Sequence, residues 1–147
     1  EILAATETRP ERKIAVQEYG RSSPELLDGL RARGAEVTNV PVYQWDLPED
    51  TGPLREAVRR LAAGQFDVAL FTTSVQVVHL LRIAAEEGVD EQVRAALHRT
   101  VVASVGPTTS ETLREHDLPV DFEPSHPKMG FLVSEISQRA RGILHSK

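Results

Sequence analysis

Short β-branched runs alternate with helical segments along most of this chain, and that alternation confines it to one fold class. Strand candidates fall at Lys13 to Tyr19, Ala35 to Tyr43, Asp67 to Thr73, Val101 to Val105 and Val120 to Glu123. Between them lie segments with apolar residues at helical spacing. Leu26, Leu27 and Leu30 follow Pro24 and stop at Gly34, and Val77, Val78, Leu80, Leu81 and Ala84 run on from Ser74 to Gly88. Further helices are expected from Pro53 to Ala63, Asp90 to His98, Thr108 to His116 and Met129 to Leu144. Parallel strands need helical crossovers of one hand between them, so the expectation is an α/β fold. Its sheet is expected to be parallel, five-stranded and flavodoxin-like in order, with helices on both faces.

Ligands of such sheets bind beyond the carboxyl ends of the strands. Four strand-to-helix junctions here end in small or hydroxyl residues: Gly20 to Ser23, Thr72 to Ser74, Gly106 to Ser110 and Ser125 to Gly130. The third is the clearest, a buried run that stops at Gly106 and opens a helix with Pro107, Thr108, Thr109 and Ser110. A helix start facing a crevice offers free N–H groups to an anion. The same residues also serve as ordinary N-caps, worth about 1 kcal/mol each. Both readings stand on the sequence.

Composition removes whole classes of function. With no cysteine among 147 residues there is no disulfide framework, thiolate nucleophile or cysteine-ligated metal. The five histidines include no pair at i, i+4, so no metal site is expected. Glu86-Glu87 and Glu49-Asp50 are adjacent acids that diverge on a helix or loop, unlike the paired carboxylates of a glycosidase. The net charge of −5 is interspersed with basic residues, which argues against nucleic acid as partner. No run approaches the roughly 20 apolar residues of a membrane helix, and no signal-peptide pattern opens the chain, so a cytoplasmic protein without a membrane partner is expected. Glu1 to Thr6 reads as the tail of a helix whose start is missing, which points to a piece of a longer protein.

Four blocks resemble the C-terminal half of the uroporphyrinogen-III synthase family. They are Leu30-Arg31-Ala32-Arg33-Gly34-Ala35-Glu36-Val37 with Val40-Pro41-Val42-Tyr43; Asp67 to Val77 around Phe71-Thr72-Thr73-Ser74; Val101 to Glu115 around Gly106-Pro107-Thr108-Thr109; and Leu118 to Pro124 followed by Gly130-Phe131-Leu132-Val133. Each is degenerate alone, but their order and spacing cover nearly the whole chain. Asp117 stands where the family has a helix-ending glycine, so it is expected to visit the left-handed region itself. Thr73 and the His126-Pro127-Lys128 loop also depart from the family pattern.

The resemblance implies an enzyme of two α/β lobes between which the chain crosses, so that this chain forms one lobe or parts of two. Residues 1–12 would be the tail of a preceding helix and a linker, 13–44 a strand–helix–strand unit of one lobe, 45–53 the crossover, and 54–147 the remainder of the other lobe. Residues 13–147 would close into one domain, or exchange units in a swapped homodimer; the partner otherwise implied is the N-terminal half of the same protein. The implied substrate is hydroxymethylbilane, closed to uroporphyrinogen III with ring D inverted and water lost, without cofactor or metal. Its eight carboxylates would be met by local donors. The resemblance makes Tyr43 the candidate general acid, because a phenol of ordinary pKa ~10 donates a proton but is a poor base. It places Thr72, Thr73, Ser74, Gly106, Thr108 and Thr109 along the cleft, with Tyr19, Ser22 and Lys128 as further contacts.

Other folds of similar order fit less well. A receiver domain needs a phosphoacceptor acid where this chain has Phe71-Thr72-Thr73, and a dinucleotide fold needs three glycines where Tyr19 to Pro24 supplies one. The remaining alternative is a module of the same fold that binds a tetrapyrrole or another anion without turning it over.

Overall fold

Every expected strand except the last is paired in parallel with a neighbour. The computed structural model describes residues 13–20, 22–44 and 46–147, with the backbone alone at 19, 20 and 42–44. The helix tail expected at 1–12, and Trp45 of the crossover, lie outside the described residues. The chain divides into two units between Asp46 and Leu47.

The first unit holds β1 (Lys13–Gly20), α1 (Pro24–Ala32) and β2 (Glu36–Gln44). α1 buries Leu27 and Leu30 and ends at Gly34, whose φ of +83° closes the turn at no side-chain cost. β1 and β2 run in register from Lys13 opposite Glu36 to Glu18 opposite Pro41, then shift so that Tyr19 faces Tyr43. Pro41 has no N–H for the ladder, and a bulge is how a strand carries such a residue.

The second unit holds α2 (Gly52–Ala62), β3 (Val68–Phe71), α3 (Ser74–Glu86), α4 (Asp90–Leu97), β4 (Val101–Ser104), α5 (Pro107–Glu115) and α6 (Met129–Ser146). β4 is buried along its length. Its Val102, with Ala69 and Phe71 of β3, joins a core built with α2, α3, α4 and α5 through Val58, Val77, Ile83, Leu97 and Leu113. Val101 and Ala103 face the other way, against Leu132 and Ile136 of α6. Helices on both faces therefore explain why β4 reads as an unbroken apolar run, whereas β3 leaves Leu70 42% exposed. Asp117 adopts φ +56° as expected, and Leu118 N–H returns to Leu113 O at 2.9 Å.

The sheet differs from the five-stranded ladder that the alternation predicts. The described residues form two parallel pairs, β1–β2 and β3–β4, and one isolated bridge between Ala103 and Phe122. The expected strand at 120–123 stops at that bridge for a local reason. Val102 N–H donates to the Asp121 carboxylate at 2.7 Å instead of to a main-chain carbonyl, while the N–H groups of Asp121 and Phe122 both return to Val102 O. Pro119 and Pro124, which lack the ladder donor, flank the segment. Lys147 then ties the end of α6 to this point, its ammonium donating to Asp121 Oδ2 and Thr100 O at 2.6 Å each. Among the described residues no helix is long and apolar enough to cross a membrane.

Charge pairing links α2 to the end of α3. Arg55 donates to Glu87 at 2.7 Å and to Glu86 at 2.6 Å, and Arg59 adds a second contact to Glu87 at 2.7 Å. Hydrogen bonds from Arg55 hold both carboxyls below their ordinary value. Their contribution to stability is therefore complete above the ordinary carboxylate pKa of 4.5 and is lost as pH falls through the lower folded values.

Two outcomes follow from these contacts. Urea midpoints are expected to fall on acidification below about pH 4.5, and Arg55→Gln is expected to flatten that fall. Asp121→Ala leaves the buried Val102 N–H and the Lys147 ammonium without their carboxylate, which is expected to cost about 1–3 kcal/mol in equilibrium denaturation.

Candidate functional site

The parallel register of β3 and β4 sets two helix starts side by side. Phe71 lies opposite Ser104, and Val105 N–H donates to Phe71 O at 2.9 Å just past the strand ends. α3 and α5 thus begin at the same carboxyl edge. Ser74 Oγ bridges them by donating to Thr108 O at 3.3 Å. Of the residues expected along a cleft, this edge brings together Thr72, Thr73, Ser74, Gly106, Thr108 and Thr109.

The two helix starts differ in what their free N–H groups meet. At α3, Thr73 and Gln76 form a capping box. Gln76 Oε1 accepts Thr72 N–H at 2.8 Å and Thr73 N–H at 3.3 Å, so these donors are already taken. At α5 the expected hydroxyl cap is absent. Gly106 occupies the N-cap position, Pro107 opens the helix, and no side chain caps it. The Thr112 hydroxyl turns back to Thr108 O at 3.1 Å, as hydroxyls inside helices do. No acceptor among the described residues takes the N–H of Thr108 or Thr109. Beside them, the fully buried Ser110 Oγ also has no hydrogen-bond partner among the described residues.

Gly106 explains how the last junction joins this edge. A Cβ placed on it would stand 2.8 Å from Pro127 Cβ, so the loop between Phe122 and α6 packs against bare backbone there. That loop is fixed from within. Ser125 gives both its N–H and its hydroxyl to Glu135, and His126 Nδ1 lies 3.2 Å from Ser125 Oγ. The Ser125 hydroxyl holds the Glu135 carboxyl below the usual range, so Glu135 is a charged anchor and a weak base. Lys128 follows Pro127 directly and is exposed.

The first unit carries the remaining expected residues. Tyr19 and Tyr43 are opposite one another where β1 and β2 shift register, at the carboxyl ends of both strands. Their side chains lie outside the described set. Ser22 is exposed and its hydroxyl donates to Glu18 at 2.7 Å; Ser23 N–H reaches the same carboxylate at 3.3 Å. Those bonds, the Ser22 one foremost, pull the Glu18 carboxyl below its ordinary value. An acid of this chain therefore already occupies the donors at the start of α1.

Glu18, Gln76 and Glu135 were not singled out by sequence. Only Gln76 carried a readable signal, since Thr73-Ser74-Val75-Gln76 has the capping-box spacing. Glu18 and Glu135 act across a turn or over ten residues, which no short pattern encodes. Among the described residues no group of three His, Asp or Glu side chains is placed to hold a metal ion.

Comparison with known proteins gives a consistent result. A family model described as uroporphyrinogen-III synthase HemD matches residues 1–134. The chain is 35% identical over 106 residues to a Methanothermobacter thermautotrophicus protein named "Putative uroporphyrinogen-III synthase", covering 72% of this chain and 41% of that protein. It is 29% identical over 128 residues to the Bacillus subtilis protein YjjA, described as uncharacterized, covering 86% of this chain and 47% of that one. The crystal structure of uroporphyrinogen III synthase from the extremely thermophilic bacterium Thermus thermophilus superposes with a TM-score of 0.62 at 27% identity, over 96% of this chain and 53% of that one. The chain thus spans about half the length of these relatives.

Close packing at Gly106 is directly testable. Gly106→Ala forces Pro127 to move, so a destabilisation of about 1–3 kcal/mol is expected in urea denaturation, within the usual range for overpacking. A change below about 0.5 kcal/mol would show that the loop yields freely.

Proposed function

This chain belongs to the uroporphyrinogen-III synthase family, and we propose that it is the C-terminal half of such an enzyme, binding hydroxymethylbilane and taking part in its closure to uroporphyrinogen III. The observation that carries this reading is the pair of uncapped amides at Thr108 and Thr109 on an edge shared with Ser74. A substrate with eight carboxylates needs such donors. An acidic chain with a net charge of −5 must supply them locally, because its overall field repels polyanions.

The first step on this reading is departure of the terminal hydroxyl as water, leaving an azafulvene. Tyr43 would give the proton. The new bond then forms to the substituted carbon of ring D, giving a spiro intermediate that fragments and recloses with that ring inverted. The protein's contribution is chiefly to fold the bilane so that this carbon meets the azafulvene, since free bilane closes to the other isomer. Thr72, Thr73, Ser74, Gly106, Thr108 and Thr109 would hold acid arms on one wall, and Tyr19, Ser22 and Lys128 would add contacts. Thr72 and Thr73 would do so only by releasing Gln76, and Ser22 by sharing its hydroxyl with Glu18.

The domain reading belongs to the same proposal. Residues 13–44 would belong to one lobe, 45–53 to the crossover and 54–147 to the other, with 13–147 closing into one five-stranded flavodoxin-like domain or exchanging units in a swapped homodimer. The protein would act in the cytoplasm.

Hydroxymethylbilane should be supplied to this chain alone and to a chain extended to the length of its relatives, with type I and type III products resolved. Type III from the extended chain is expected, falling at least tenfold in Tyr43→Phe as general acid catalysis is removed. Type I alone from both would overturn the enzyme reading, and saturable tetrapyrrole binding without type III would replace it with a binding module.

A further inference from the structure

We propose that His126 and Lys128 form a carboxylate-recognition subsite for acid arms of the substrate, set beside the open amides of α5 by the seating of Pro127 on Gly106. The subsite deepens the synthase reading and rests on it for the identity of the ligand. Three observations carry it. Pro127 packs against Gly106, the N-cap residue of α5, so the loop that carries His126 and Lys128 is seated at that helix start. The loop is braced, with Ser125 fastened to Glu135 by main chain and side chain, and the His126 ring resting 4.7 Å from that of Phe131. Finally, Lys128 is uncommitted, and His126 meets Glu135 through the Ser125 hydroxyl that lies between them. Arg55, Arg59, Arg94 and Lys147 of this unit each pair with a carboxylate, whereas no carboxylate among the described residues pairs with Lys128.

The surroundings match an amphipathic polyacid better than a small anion. Phe131 is 41% exposed and Met129 63% exposed at the start of α6, so apolar surface adjoins His126 and Lys128. A tetrapyrrole presents that combination, with flat pyrrole rings carrying flexible carboxylates. The Glu135 carboxylate lies within electrostatic reach of both His126 and Arg139. Glu135 is held by Ser125, which leaves the His126 edge away from Ser125 and the Lys128 ammonium as the donors that face outward. The sequence made Lys128 a candidate alone; the structure adds His126 and gives the pair a fixed support.

Binding of uroporphyrin, with eight carboxylates, and coproporphyrin, with four, should be titrated by fluorescence quenching against this chain and its H126Q/K128Q variant. The expected result is a rise of about tenfold in the uroporphyrin Kd, a smaller rise for coproporphyrin, and a shallower dependence of Kd on salt. Arg99→Gln, which removes an exposed cation elsewhere in the unit, is expected to stay within about twofold of the parent. The proposal is overturned if the double variant stays within twofold, if Arg99→Gln weakens binding equally, or if the parent chain binds neither porphyrin saturably. These results separate from the synthase test. Type III product that is indifferent to H126Q/K128Q removes the subsite and keeps the enzyme, while variant-sensitive porphyrin binding without type III keeps the subsite and removes the enzyme.

Discussion

The parallel pairing of β3 with β4 is the contact on which the rest of the second unit depends. With Phe71 opposite Ser104, α3 and α5 start at one edge, and Ser74 can reach Thr108. A one-residue slip would turn Val101 and Ala103 away from α6 and Val102 away from the larger core. Burial on both faces thus fixes the register, and the register fixes the site. Packing and the candidate site here share one cause.

What distinguishes the four junctions is which of them the chain fills itself. Glu18 takes the donors before α1, Gln76 those before α3, and Glu135 those of Ser125. Each of these acceptors is anchored within its own segment, so a ligand group would have to displace it at the cost of a hydrogen bond to a charged or well-aligned partner. At α5 the Gly106 N–H likewise turns inward, to Ser104 Oγ at 3.3 Å, and it is the amides of Thr108 and Thr109 beyond it that no side chain caps. The small residue that leaves them open, Gly106, is also the one that admits Pro127. The feature that empties the cap brings the basic loop to it.

The fold was largely legible because its signals are local. Gly34, Gly64 and Gly88 end helices at positive φ, and Asp117 does so at +56° where the family resemblance had a glycine missing. Prolines at 24, 53 and 107 all lie in first turns. The segment 120–123 misled because its alternating Val120 and Phe122 say nothing about where Asp121 will send its side chain. That carboxylate takes the Val102 amide and draws in Lys147 from the far end of α6, a contact spanning 26 residues. At the edge, residue types were readable but hydrogen-bond directions were not. Ser22, Thr72 and Ser74 look alike in sequence, yet their hydroxyls go to a carboxylate, an amide oxygen and a main-chain carbonyl.

If this acidic chain binds a polyacid as proposed, it faces a conflict that the placement of charge would resolve. Across the second unit, Arg55, Arg59, Arg94 and Lys147 are committed to carboxylates, Arg94 to Asp90 within its own helix and the others between segments, and they serve stability. Their fields are neutralised within a few ångströms and do little for a distant anion. On the proposed reading, recognition would fall to groups whose charge or dipole is not cancelled inside the chain, among them the α5 amides and Lys128. Donors of this kind act only at contact range, so on that reading they would favour a ligand that brings several carboxylates to fixed points on an apolar frame over a small anion that makes one contact.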